Sequence, residues 1–378
     1  MTRTRIHILG IGSIGTLIAH HLHLSTPSTP LTLLVRSPGT FPKTLSSNRQ
    51  TTRTISEAYQ VESSLNDPSS NEYISSLLIC TKTTQTSQAI EPLLHRLDEH
   101  SVISLLQNGM GVYQELISTF FRDRDKRPHF ILGTTPHAVS PAGRRGGINH
   151  HIEPGGGFIK WGLVPDPTKN VGHDRVEVWI CGKSRVRDIS VDDIEGLEIP
   201  DGRQDLIHLK DTLSALLSLT DLKSQLLSYN QLNQALLLKL VINAAVNPIT
   251  AILGRGQMPN GRLQDIPWGV NIVDRIIEES SQILLEQLKQ DQNQNSDKDM
   301  LKVFGAESLK KIVYDTIEST KHNTSSMAVD IREKRRTEID YINGYLVKLG
   351  DELGCKTDLN RLICEMIKFI EEEQKLIG

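Results

Sequence analysis

Residues 5–22, RIHILGIGSIGTLIAHHL, leave this chain few folds to choose from. An apolar run, Ile6 to Leu9, ends at Gly10, and Gly12 and Gly15 follow before a helical pattern begins. Strand, glycine-rich turn and helix in that order seat a dinucleotide pyrophosphate, because the first N–H groups of the helix and its dipole both favour negative charge. Gly10 permits the tight turn, Gly12 lets backbone approach the pyrophosphate, and Gly15 allows the helix to pack closely on the strand. Ser13 and Ile14 complete the candidate phosphate-binding stretch. A bare glycine pattern is weak evidence, and the competing reading is an ordinary loop. Its context strengthens it: a second strand, LTLLVR (31–36), closes a unit of about 30 residues.

The end of that second strand discriminates between cofactors. An acidic residue about 20 positions after the glycines would bind a ribose 2′-hydroxyl and select NAD. Arg36 stands there instead, followed by Ser37. A guanidinium can pair with a 2′-phosphate, so NADPH is the expected cofactor. The alternative is a solvated charge at a strand end.

Further along, SLLICTKTT (76–84), SVISLLQNGMG (101–111), FILGTTPHAV (130–139) and GGGFIKWG (155–162) each read as a buried strand running into a turn. Buried apolar strands with helical spacers imply a parallel sheet covered by helices. Residues 164–204 are polar, with one strand-like piece, VEVWICG, and read as an insertion at the edge of this domain. The chain rejoins the fold near Leu206; KDTLSALLSL is a helix, and KSQLLSY leads out as a short segment. From about Asn230 the pattern is almost wholly helical, interrupted by the polar loop DQNQNSDKD (291–299). The expected organisation is therefore α/β: a Rossmann-type dinucleotide-binding domain over 1–229, then an all-helical domain over 230–378.

Composition sets outer bounds. A chain of 378 residues suits two or three domains at about 150 residues each. A formal net charge of −3 gives no push toward nucleic acid or a membrane surface. Cys80, Cys181, Cys355 and Cys364 lack paired spacing, so neither a zinc site nor a disulfide framework is indicated, and no metal is expected. No run is expected to reach the roughly 20 apolar residues of a bilayer span. With the first strand beginning near residue 5 there is no room for a signal sequence. Cytosol is the expected compartment, with mitochondria the alternative.

Within ALLLKLVINAAVNPITA, Lys239, Asn243 and Asn247 stand at i, i+4 and i+8, on one face of an otherwise apolar helix. Lysine is almost never buried without a partner, so this row should face a cleft. There the lysine can protonate a carbonyl oxygen while hydride adds to its carbon, and the asparagines can hold hydroxyl or carboxylate oxygens. Pro248 disfavours α geometry at Asn247, which weakens that residue's place in the row. The competing reading has Lys239 reaching solvent and the amides satisfying backbone.

In NTSSMAVDIREKRRTEIDYINGYL (323–346), Ser325, Ser326 and Glu338 fall in one region. On one straight helix Ser326 and Glu338 would lie about 18 Å apart, at roughly 1.5 Å per residue, too far to share a small substrate. A capping signal at Thr337–Asp340 therefore predicts a helix break near 334–337.

Taken together, GIGSIG, CTKTTQT, LLQNGMG, GTTPHAV, LLLKLVINAAVNPITA and SSMAVDIREKRRTEIDYINGYL resemble the ketopantoate reductase (2-dehydropantoate 2-reductase) family, in order along nearly the whole chain. The resemblance implies NADPH-dependent reduction of 2-dehydropantoate to (R)-pantoate, a step toward pantothenate and coenzyme A. It also implies a helical second domain like the C-terminal domain of 6-phosphogluconate dehydrogenase, with the active site between the domains. Carried over by motif, Lys239 is the general acid and Glu338 positions the reacting oxygen. Asn108 lies by the nicotinamide ribose and substrate, while Asn243, Asn247 and Ser326 hold substrate oxygens. Arg36 is the 2′-phosphate ligand and Lys82 a cofactor-side lysine. Pro136 and Ala138 depart from the family pattern, and the 164–204 insertion is longer than usual. Those departures keep two alternatives open, reduction of another 2-keto acid or a non-catalytic paralogue acting as a binding protein. The expected partner is a small molecule, with no nucleic acid and no membrane, and a homodimer left open.

Overall fold

The computed structural model describes residues 3–57, 59–65, 72–165, 189–199, 201–290 and 302–377. The chain forms two compact units, residues 1–107 with 112–233, and residues 108–111 with 234–378.

The first unit is built on an eight-stranded sheet in the order β12-β11-β8-β7-β6-β1-β2-β5. Its strands are β1 (Ile6–Leu9), β2 (Leu31–Val35), β5 (Gln60–Ser63), β6 (Ser76–Ile79), β7 (Val102–Leu106), β8 (His129–Thr134), β11 (Ile159–Leu163) and β12 (Ser224–Leu226). Every residue of β1, β2, β6 and β7 is buried. Continuous apolar runs such as LTLLV suit strands covered on both faces. The wholly parallel sheet expected from sequence needs correction, because β11 runs antiparallel to β8. Parallel neighbours need a crossover connection, usually a helix, and none lies between these two strands. The chain instead turns back through β9 (Val139–Pro141) and β10 (Gly147–His150). The segment KSQLLSY supplies β12, paired parallel to β11.

A second, four-stranded sheet, β4-β3-β10-β9, has no counterpart in the sequence pattern; it adds β3 (Leu45–Arg49) and β4 (Thr52–Ser56). Helix α1 (Ser13–Ser25) packs on β1 and β2 and also on β3, β4, β9 and β10. Sheets on two sides explain why its residues Gly15 to Leu22 are all buried, His20 and His21 included. Among the described residues, the remaining α-helices of this unit are α2 (Thr86–Ile90), α3 (Val112–Thr119), α4 (Val191–Glu195) and α5 (Gln204–Leu217). Part of the stretch read as a polar insertion belongs to the core, since Ile189 and Ile194 pack in the same cluster as β1 and α5. The strand-like VEVWICG and the loop at 291–299 lie outside the described residues.

The second unit is helical. It comprises most of α6 (Tyr229–Leu253), then α7 (Arg262–Asp265), α8 (Pro267–Gln290), α9 (Ala306–Ser319), α10 (Ser326–Arg332), α11 (Asn343–Leu353) and α12 (Asp358–Ile377). Leu240, Val241, Ala244 and Ala245 of α6 pack in one core with residues of α8 and α9. The expectation that no segment reaches bilayer length also needs amending. Helix α6 has 25 residues, and an 18-residue stretch within it reaches a mean hydropathy of 1.8, enough by length and composition to cross a membrane. Its apolarity is accounted for by the core it fills, with 61% of that stretch buried.

Two features of this unit concern the helix patterns. Helix α10 ends at Arg332 and the next turn begins at Ile339, so the expected break occurs. Helix α6, by contrast, runs through Pro248 to Leu253, and the proline does not remove Asn247 from the helix.

Candidate active site

In the first unit, the end of β1 is wedged against the end of β6. The Cys80 N–H donates to the Leu9 carbonyl at 2.8 Å, and Gly10 follows at φ +93°. A Cβ on Gly10 would sit 2.4 Å from the Thr81 nitrogen, so no other residue fits there. A Cβ on Gly15 would meet the Gly10 carbonyl oxygen at 2.2 Å, which is the close helix–strand approach the motif requires. Gly12 differs, because a Cβ there would meet nothing within 4 Å. Protein packing does not demand that glycine; open space over the start of α1 suits the close approach of a ligand.

The start of α1 fits an anion. No side chain caps it, its first turn carries no acidic residue, and the first helical bond is Thr16 N–H to the Gly12 carbonyl. The N–H groups of Ser13, Ile14 and Gly15 therefore precede the helical ladder, as phosphate-binding groups must. Arg36 is exposed just past β2, and Lys82 is half-buried just past β6. Gln107, at the end of β7, is a residue the motif reading passed over. Its amide donates to the Thr81 carbonyl at 2.7 Å and to the Thr86 hydroxyl at 2.5 Å, tying the ends of two neighbouring strands together.

In the second unit, Lys239, Asn243 and Asn247 lie along one face of the unbroken α6. Lys239 and Asn243 are half-buried and Asn247 is buried. Burial pulls the Lys239 ammonium down to about 8, while the Glu338 carboxylate, acting the other way, favours the charged form. Glu338 is 4% exposed and directly precedes the short turn Ile339–Tyr341. Its place is fixed from both sides. The preceding Thr337 donates its backbone N–H to the Glu371 carboxylate of α12 at 2.7 Å. Beyond the turn, the Tyr341 carbonyl accepts from Met110 N–H at 2.8 Å. That bond holds the 108–111 strap, where Gly109 adopts φ +78° and passes so close that a Cβ would lie 2.4 Å from the Tyr341 oxygen. Asn108 is thereby brought to Glu338, its Nδ2 donating to Oε2 at 3.3 Å.

The two serines divide their roles. Ser325 is buried and caps α10, accepting from Ala328 N–H at 3.1 Å. Its hydroxyl lies 2.8 Å from that of Thr250 and donates to the Asn247 carbonyl at 3.4 Å. Ser326, the expected substrate ligand, is the exposed first residue of α10, next to this attachment. Chemically, the second unit thus offers an ammonium of lowered basicity, a carboxylate beside it and amides along one helix face. Such a set can protonate an oxygen and hold other oxygens around it.

Known proteins resemble this chain over nearly its whole length. The family profile described as "Ketopantoate reductase PanE/ApbA" matches residues 6–165, and that described as "Ketopantoate reductase PanE/ApbA C terminal" matches 231–371. The 2-dehydropantoate 2-reductase of Saccharomyces cerevisiae is 28% identical over 390 residues, covering 98% of this chain and 93% of that protein. That of Yersinia pestis is 28% identical over 375 residues, covering 99% and 97%. Among solved structures, D-mandelate dehydrogenase with NADH and anilino(oxo)acetate superposes at a TM-score of 0.70, with 15% identity and coverage of 98% and 99%. The probable 2-dehydropantoate 2-reductase of Bacillus subtilis superposes at 0.63, with 20% identity and coverage of 97% and 99%. At these identities the structures speak to the fold, an α/β unit followed by a helical one.

Proposed function

The chain belongs to the ketopantoate reductase family, and on that premise we propose that it is an oxidoreductase that reduces 2-dehydropantoate to (R)-pantoate with NADPH. In this reading residues 1–229 bind the cofactor and residues 230–378 carry the substrate side. When bound, NADPH supplies the hydride that adds to the C2 keto carbon. Lys239 donates a proton to the C2 oxygen as negative charge builds there. Glu338 keeps the lysine in its ammonium form and helps position that oxygen. Asn108 orients Glu338, and Asn243, Asn247 and Ser326 hold the hydroxyl and carboxylate of the substrate. On the cofactor side, Gly10, Gly12, Ser13, Ile14 and Gly15 take the pyrophosphate, with Lys82 and Asn108 contacting the cofactor as well. Arg36 pairs with the 2′-phosphate.

The observation that carries this reading is the pairing of Lys239 with Glu338. Burial brings the lysine to about 8, close enough to neutrality for a general acid to give and regain its proton. The test is oxidation of NADPH or NADH by the purified chain with 2-dehydropantoate and a panel of other 2-keto acids. Turnover confined to NADPH and 2-dehydropantoate is expected. Activity on another acid moves the substrate and keeps the mechanism; dinucleotide binding without turnover of anything would replace the enzyme by a binding protein. Lys239→Ala should lower kcat by about 10²–10⁴ and leave NADPH affinity nearly intact. Unchanged kcat would refute the assignment of the acid. For assembly, the dimeric ketopantoate reductase of Staphylococcus aureus makes a homodimer the form to test by sedimentation. Cytosol is the proposed compartment.

A further inference from the structure

Pro248 has no N–H, so the carbonyl of Ala244, four residues earlier in α6, has no helical donor. A gap of that kind normally bends or ends a helix, yet α6 continues to Leu253. The missing donor comes from elsewhere. Asn343, the first residue of α11, donates its Nδ2 to the Ala244 carbonyl at 3.1 Å.

The orientation of that amide is enforced by a chain of buried groups. The same Nδ2 also donates to Oδ1 of Asn360 at 2.9 Å. Asn360 in turn donates its Nδ2 to the Glu279 carboxylate at 2.7 Å, and Glu279 also accepts the backbone N–H groups of Leu359 and Asn360 at the start of α12. An ionised carboxylate can only accept, so Asn360 must turn its amide nitrogen toward Glu279 and its oxygen toward Asn343. Asn343 must then present its nitrogen to both Asn360 and Ala244. Both asparagines are 0% exposed. The Asn343 Oδ1 is buried without a hydrogen bond among the described residues, so the side chain is used for its donors alone.

The turn that would open at Pro248 is the one that carries Asn247. Thr250, just beyond, bonds back to the Val246 and Asn247 carbonyls at 3.1 and 3.0 Å and meets the Ser325 hydroxyl that caps α10. We propose that Asn343 is a positioning residue: it stands in for the N–H that Pro248 lacks, keeping Asn247 in line with Lys239 and Asn243 and, through Thr250 and Ser325, placing Ser326. Its effect on catalysis rests on the substrate row proposed above; its effect on the helix does not.

The experiment compares Asn343→Ala in the natural chain and in a Pro248→Ala background, where the alanine restores the backbone donor. Steady-state kinetics with 2-dehydropantoate, the pH profile of kcat and the melting temperature are read for each. N343A should raise KM about tenfold, the size of one buried hydrogen bond at about 1.4 kcal/mol per tenfold. Lys239 lies before the affected turn, so kcat should stay within about twofold and its alkaline limb should not move. In the P248A background the same substitution should change KM by less than about twofold. An equal loss of KM in both backgrounds, or a fall in kcat with a displaced limb, overturns the proposal. Should N343A not fold, a folded double variant supports it and an unfolded one overturns it. If the natural chain turns over no 2-keto acid, the enzymatic reading fails and melting alone decides. A smaller loss of melting temperature in the P248A background supports the role of Asn343, and an equal loss refutes it.

Discussion

The side-chain amide of Asn108 donates to the Glu338 carboxylate at 3.3 Å although 230 positions separate them in the chain. The bond exists because Met110 N–H and the close pass of Gly109 fasten the 108–111 strap to the Tyr341 carbonyl. Glu338 is therefore held by an amide on one side while its charge acts on Lys239 on the other.

That arrangement makes Glu338 a regulator of the acid. Burial lowers the Lys239 ammonium to about 8 and Glu338 works against the lowering. Glu338→Gln removes the opposing charge, so the alkaline limb of kcat should move to lower pH and the rate at pH 8.5 should fall more than the rate at pH 6. A limb that stays put, or moves upward, would contradict the pairing.

Arg36 gives a selective prediction. If its guanidinium reads a 2′-phosphate, Arg36→Ala should weaken NADPH about 10- to 100-fold, as loss of a charge-assisted hydrogen bond does, and NADH by less than about twofold. Fluorescence titration with both dinucleotides checks this, and equal losses would show that Arg36 does not select the cofactor.

The packing of α1 between two sheets predicts acid sensitivity. His20 bonds the Ser56 and Thr54 hydroxyls of β4 at 2.9 and 2.7 Å, and His150 of β10 lies 3.0 Å from His137, with the His21 ring edge-on to it. Burial, reinforced for His21 and His150 by Arg49 and neighbouring imidazoles, lowers His20 to about 4 and His21 and His150 to about 3. An unfolded histidine titrates at about 6.5, so below that pH the unfolded chain binds protons the folded chain refuses. Stability should be full above pH 6.5 and fall as pH drops toward 4, by up to about 1.4 kcal/mol per pH unit for each histidine. Urea unfolding at pH 7, 6 and 5 measures the slope, and His150→Gln should flatten it; an unchanged slope would mean that this histidine is not held neutral by the fold.

Glu371 should matter to catalysis without touching substrate, since its carboxylate holds Thr337 N–H, one residue before Glu338. Glu371→Ala is expected to lower kcat/KM about tenfold, the cost of one buried hydrogen bond. Glu371→Gln keeps an acceptor oxygen and should recover most of the loss. If the two variants are equally impaired, the negative charge rather than the bond is what Glu371 provides.

Two expectations failed for a common reason. By its local preference Pro248 disfavours α geometry at Asn247, yet α6 passes through it because Asn343 supplies a donor to the Ala244 carbonyl, 99 positions away in the chain. The apolar pattern of β11 predicts one more parallel strand, but direction depends on the route of the connection, and the β9–β10 return reverses it. No local pattern assigns a role to Ser325 either, yet its hydroxyl is the one joined to α6, through Thr250 at a separation of 75 positions.

The glycine turn, the spacing of Lys239, Asn243 and Asn247, and the break before Glu338 were legible along the chain. They are properties of strands and helices, whose periods and end signals are written within a few neighbouring residues. The partners of Glu338, the donor that carries α6 past Pro248, and the second sheet that buries His20 and His21 could not be read that way. Each depends on which surfaces meet, and a hydrogen bond between distant residues leaves no periodic trace in the sequence that makes it.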